Sequence, residues 1–161
     1  MLTVDEALTQ IRSLVSSSVD RAQRAQQLAV AIRSLGNYRW VGIYDVGTEL
    51  VSIVAWSGPD APAYPSFPVS KGLTGSAIQQ RSTVMVGDVR KDSRYLTTFS
   101  ATRSEIIVPI VVPIIVPIIG DEGQTVVGTI DVESERENAF SEKDQHMLEQ
   151  CALAAKPLWE S

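Results

Sequence analysis

Cysteine is almost missing from this chain: Cys151 is the one copy in 161 residues. A single thiol excludes an internal disulfide, a cysteine-rich metal site and any mechanism in which one cysteine of the chain resolves another. Histidine is equally scarce, and the lone His146 falls in the last helical segment, where it reads as a helix-surface residue. Excess positive charge is missing too. Fourteen Lys and Arg stand against nineteen Asp and Glu, a net charge of -5 that argues against a nucleic-acid surface. The longest apolar run, Ile106 to Ile119, is too short for a membrane helix, and its three prolines would break one. The opening "MLTVDEALTQIRSL" lacks a basic start followed by an apolar stretch, so no signal peptide and a cytoplasmic location are expected.

What is present belongs to a soluble globular domain: 44% hydrophobic and 20% charged residues, in a length that suits one core. "TVDEALTQIRSLV" and "SVDRAQRAQQLAVAIRSLG" show helical spacing of apolar residues behind Ser or Thr and acids, with Gly36 as the stop of the second. "YRWVGIYDV" and "LVSIVAW" are β-branched and aromatic, and the short "GTE" between them predicts a hairpin. "SGPDAPAYPSFPVSKG" carries four prolines and two glycines and reads as an irregular loop across one face of the sheet. A short helix at "LTGSAIQQR", a brief strand at "TVMVGDV" and a polar loop from Arg90 to Ser104 follow. After the proline-rich apolar stretch come a turn at "DEG", a strand at "QTVVGTIDVES" and a final helix capped by Ser141. In that helix Met147, Leu148, Cys151, Ala155 and Leu158 share an apolar face.

The expectation is a single α+β domain over 1–161. Helices occupy 1–36, a central antiparallel sheet with its loops 38–135, and a closing helix 141–159, the terminal helices packing on one face of the sheet.

The strings "WVGIY", "AWSGP", "GLTGSAI", "VGDV", "TRSEIIVPI" and "VVGTIDVES", taken in this order, resemble a GAF domain, and within that group the free methionine-(R)-sulfoxide reductases. The resemblance runs from about Tyr38 to Ser141. It implies a small pocket for a free amino acid, lined by a tryptophan and three acids, with loop cysteines that attack the sulfoxide. Trp56, Glu105, Asp131 and Glu133 match the pocket positions, Glu133 standing where an aspartate is more usual. The cysteine positions carry Thr98 and Leu73 instead. A threonine hydroxyl has no thiolate with which to attack sulfur and then form a disulfide, so reduction by that route is not expected.

The residues make their own case. Asp131 and Glu133 lie two apart on a strand and therefore point to the same side of the sheet. If Glu105 sits on the neighbouring strand, the three carboxylates can hold an ammonium group beneath the Trp56 ring. A divalent cation ranks behind such a ligand, since no histidine is near in sequence, and no metal or cofactor is expected. The plainer alternative is the solvated face of a half-buried sheet. Tyr64, Phe67 and Tyr95, in the two long loops, are candidates to close over a ligand.

One segment fits no pattern. "VPIVVPIIVPII", Val108 to Ile119, states a Val-Pro-Ile unit three times at a spacing of four. Fully extended, Ile106 to Ile119 would span about 46 Å at about 3.3 Å per residue, far beyond an ordinary strand. Paired all the way to a four-residue turn at 120–123, it would set Glu105 opposite Asn138. Removing two units and lengthening the turn by one residue would set it opposite Asp131. The expectation is an expanded repeat that slips by four without changing its core face, and that drives self-association as a homodimer.

The functional expectation is a small-molecule-binding domain for a free amino acid or amine, without covalent catalysis, a membrane or nucleic acid. Alternatives are an enzyme like the sulfoxide reductases, and a structural dimerisation module with a vestigial pocket.

Overall fold

The computed structural model describes residues 2–113 and 123–160. Helix α1, Val4–Val15, begins where the Thr3 hydroxyl accepts the Glu6 amide hydrogen and the Glu6 carboxylate accepts that of Thr3. This reciprocal cap satisfies two amides that the helix itself leaves bare. Helix α2, Arg21–Gly36, is capped by the Asp20 carboxylate. It ends at Gly36, and Asn37 takes the left-handed conformation that closes it, at φ 52°.

Strands β1, Trp40–Val46, and β2, Leu50–Ser57, form the expected hairpin, with Val54 bulged out of the ladder between Ile43 and Tyr44. The proline-rich segment is not wholly irregular, which corrects the sequence reading. Its Ser66–Pro68 makes a three-residue strand, β3, against Leu50 to Ser52 of β2. A proline is tolerated there because this is the sheet's outer edge, where a lost amide hydrogen breaks no ladder. Helix α3, Gly72–Gln80, strand β4, Val84–Val86, strands β5, Ser104–Pro113, and β6, Gln124–Ser134, and helix α4, Glu142–Ala155, complete the chain. The Ser141 hydroxyl and the Asp144 carboxylate cap α4 reciprocally, as the sequence suggested.

The six strands are antiparallel neighbours in the order β3-β2-β1-β6-β5-β4. Helices α1, α2 and α4 cover one face. Leu8, Ile11, Leu28, Ile32, Leu148 and Cys151 pack there against Val41 and Ile43 of β1, Ile106, Val108 and Ile110 of β5, and Ile130 and Val132 of β6. Each such large apolar side chain contributes about 2 kcal/mol by leaving water. Arg21 holds this layer to the sheet's far end: its guanidinium makes two hydrogen bonds to Asp45, at 2.7 and 3.0 Å, and Trp159 Nε1 donates to the same carboxylate at 2.7 Å. Among the described residues no helix is long and apolar enough to cross a membrane.

The described part of the repeat is paired. Strand β5 ends at Pro113, opposite Gln124, after one bulge between Ile110 and Val111. Glu105 is thereby paired with Glu133, rather than with Asn138 or with Asp131. The rest of the repeat, and the slippage and self-association expected of it, lie outside the described residues. Strand β4 pairs with β5 only from Glu105 to Ile107, so Pro109 and Pro113 fall where no described strand needs their missing donor.

Candidate functional site

Alternation along three strands builds the second face. In β6, Ile130 and Val132 point to the helices while Thr129, Asp131 and Glu133 point away; in β5, Ile106 points to the helices and Glu105 away. Pairing sets Glu105 directly across from Glu133, with Asp131 one step along the same face. On the other side of β6, Trp40 stands beside Glu133 and Gly42 beside Asp131. Gly42 matters for its missing side chain: a Cβ there would come within 2.4 Å of the Trp40 ring and 2.9 Å of the Tyr44 ring. Glycine lets both aromatics close over β1.

The acids are not a solvated face. Glu105 and Asp131 are 4% exposed and Glu133 1%, and one carboxylate oxygen from each lies within 4.8 Å of the other two. Burial pushes the pKa of Glu105 well above the usual carboxylate range; the charges of Asp131 and Glu133, and its hydrogen bonds to both, push it further the same way. Asp131 is raised by burial to about 6, its hydrogen bond with Glu105 acting in the opposite direction. Glu133 is also raised, first by burial and then by the Asp131 charge, against hydrogen bonds from Thr102, Tyr95 and Glu105 that lower it. Glu105 is the member of the cluster for which burial, its neighbours' charges and its hydrogen bonds all favour the protonated form. No cationic side chain acts on any of the three among the described residues, and Asp131 Oδ1 and Glu133 Oε2 are buried with no hydrogen-bond partner.

Two spaces meet this cluster. A cavity of about 310 Å³ is lined by Glu133, Trp40, Phe99, Arg39, Asp60 and the 98–102 loop. Its aromatic wall is fixed by an edge-on contact of Trp40 with Phe99, centroids 5.2 Å apart, and by a 3.0 Å hydrogen bond from Trp40 Nε1 to the Asp60 carbonyl. The second is a gap of about 10 Å³ beside Glu105 and Asp131, walled by Tyr44, Phe67, Leu73, Thr74, Leu96 and Thr98. It has room for about one water-sized group. Thr98 lines both.

Of the expected site residues, Glu105, Asp131 and Glu133 come together. Tyr95 joins them through its hydroxyl, which donates to Glu133 Oε1 at 3.2 Å, and Phe67 lines the smaller gap. Trp56 does not line either space: opposite Gly42 on β2, it packs at the margin of the Trp40, Tyr44 and Val51 cluster. Tyr64 is 43% exposed and lines neither. Trp40 and Phe99 were not anticipated, although "RWVGIYD" already placed Trp40 one strand from Glu133 once the sheet order is known. Thr98 and Leu73, the positions where the reductase resemblance implies cysteines, both border the gap beside Glu105 and Asp131. Cys151 lies on the other side of the sheet, in the helical layer, where burial pushes its thiol up to about 12.

A curled antiparallel sheet with α1, α2 and α4 on one face and a buried acidic cluster on the other defines an α+β architecture. The chain belongs to the GAF domain family, whose model matches residues 15–155. It is 29% identical over 147 residues to GAF domain-containing protein A of Dictyostelium discoideum, covering 91% of this chain and 85% of that protein. The fold is similar to the free methionine-R-sulfoxide reductase of Neisseria meningitidis, solved with its substrate: TM-score 0.81, 28% identity, 98% of this chain and 88% of that one. It is also similar to the type II free methionine-R-sulfoxide reductase of Thermoplasma acidophilum, with TM-score 0.71, 28% identity, and 88% and 96% covered.

Proposed function

We propose that this GAF domain binds a small molecule bearing a protonated amine, a free amino acid or a related amine, without covalent catalysis. The observation that carries this reading is the pair of buried oxygens, Asp131 Oδ1 and Glu133 Oε2, that have no partner among the described residues, in a cluster of three carboxylates on which no described cation acts. Leaving such groups bare is costly, and an ammonium group supplies both the charge and the donors they lack. The aromatic wall of Trp40 and Phe99 suits the apolar part of the same ligand. A hard divalent cation would also satisfy three oxygens at this spacing. It would not make use of the apolar walls.

Against the reductase reading stand Thr98 and Leu73 beside the acids and the single thiol on the opposite face. The test is a thermal-shift and calorimetric panel of L-amino acids and primary amines, with magnesium and calcium as separate probes. Stabilisation by amines that is lost in Asp131→Asn and Glu133→Gln supports the reading. Response to the metals alone replaces it with a cation site, and steady reduction of methionine sulfoxide by a thiol reductant overturns the claim of no covalent chemistry. We also propose that the repeat drives a homodimer; a monomer mass by native mass spectrometry at high concentration would overturn this.

A further inference from the structure

The 310 Å³ cavity is lined by charges of both signs and by aromatic rings. Glu133, with its unpartnered Oε2, lines it together with Trp40 and Phe99, and Arg39 is its only cationic lining residue among those described. We propose that Arg39 receives the carboxylate of the bound molecule, so that the site selects zwitterionic amino acids over the corresponding amines. This rests on the amine-binding reading above and narrows it.

Three features favour the assignment. Arg39 directly precedes Trp40, whose backbone pairs with Glu133, and Arg39 and Glu133 line the same cavity. Among the described residues the guanidinium is held only by Glu135, at 2.8 Å, in a pair whose side chains are 43% and 45% exposed. An ion pair so open to water is worth little, and a ligand carboxylate can displace Glu135 at small cost. The planar fork of donors matches a carboxylate in a way that a lysine or a lone hydroxyl does not. Asp60 also lines the cavity and strengthens the attraction for the ammonium end, not for the carboxylate. The volume is near the lower limit of ordinary ligand pockets, which suits a free amino acid better than a peptide.

The experiment compares matched pairs by isothermal titration calorimetry: L-methionine with 3-(methylthio)propylamine, L-leucine with isoamylamine, and L-phenylalanine with phenethylamine. In the wild-type protein at least one amino acid should bind roughly tenfold to hundredfold more tightly than its amine, the usual worth of a charge-assisted hydrogen bond. Arg39→Gln should bring the amino acid down to the level of the amine and leave the amine unchanged, while Arg39→Lys recovers part of the difference. Equal binding of acid and amine by the wild type, or an equal loss of both in Arg39→Gln, overturns the role of Arg39 and leaves the amine reading intact. Binding of neither member of any pair overturns the amine reading itself. The wild-type comparison decides the matter even if the variant fails to fold.

Discussion

The two faces of strand β6 are one residue apart and obey opposite rules. Ile130 and Val132 point into the helical layer and are fully buried among apolar partners. Asp131 and Glu133 are buried almost as deeply, yet each keeps an oxygen that nothing among the described residues satisfies. The helical face is finished by the chain itself. The other holds buried charge that costs stability until a complementary group arrives, and such unspent cost is common where proteins bind rather than merely fold.

The strongest way to break the contrast is to move a carboxylate across the strand. Val132→Asp should cost at least about 4 kcal/mol, because it buries a carboxylate in the apolar cluster of the helical layer, and circular dichroism should show little folded protein at 25 °C. Asp131→Asn, its neighbour, should fold with a Tm equal to or above that of the wild type; a comparable collapse would mean that the acids support the fold.

The next effect is a pH dependence. A carboxyl whose pKa is raised in the folded protein binds more protons folded than unfolded. Its contribution to stability is therefore complete below about pH 4 and is lost as pH rises through the folded value. For Asp131, from 3.8 to about 6, the loss is about 3 kcal/mol by pH 7 at about 1.4 kcal/mol per pH unit. Glu105→Gln supplies a permanent donor to Asp131 and Glu133 and should flatten the fall between pH 4 and 7 in urea titrations. Parallel profiles for variant and wild type would refute a protonated Glu105.

A smaller effect tests shape alone on the same face. Gly42→Ala drives a methyl into the Trp40 ring and should cost about 2 kcal/mol, read as a lowered Tm. The smallest is Thr98→Ser, which keeps the hydroxyl between the two spaces and should change Tm by less than about 0.5 kcal/mol equivalent, with ligand affinity nearly unchanged. A large loss of affinity there would show that the methyl group shapes the site.

Much of this was legible beforehand because it is local. The β1–β2 hairpin, the bounds of β6 and the Ser141 cap follow from alternation, turn residues and capping within a dozen residues of each other. The three acids were legible as a set because side-chain parity survives any even shift of register. Their exact pairing was not, since the Val-Pro-Ile repeat makes shifts of four equivalent to the hydrophobic pattern. Choosing between Trp40 and Trp56 needed the strand order: with β1 between β2 and β6, Trp40 borders Glu133 while Trp56 sits one strand farther out. Strand β3 was hidden by its prolines, which mark a loop in the middle of a sheet but are permitted at its rim.

Cys151 has a practical consequence of another kind. Fully buried on the inner face of α4, with its thiol held up to about 12, it should ignore alkylating and disulfide reagents while the helical layer stays closed. As the only thiol in the sequence, it makes labelling kinetics a clock for that layer's opening that no other group can contaminate. Any ligand that settles into the far side of the sheet should slow the clock, so occupancy could be timed across the sheet without a tag, a dye or a mutation.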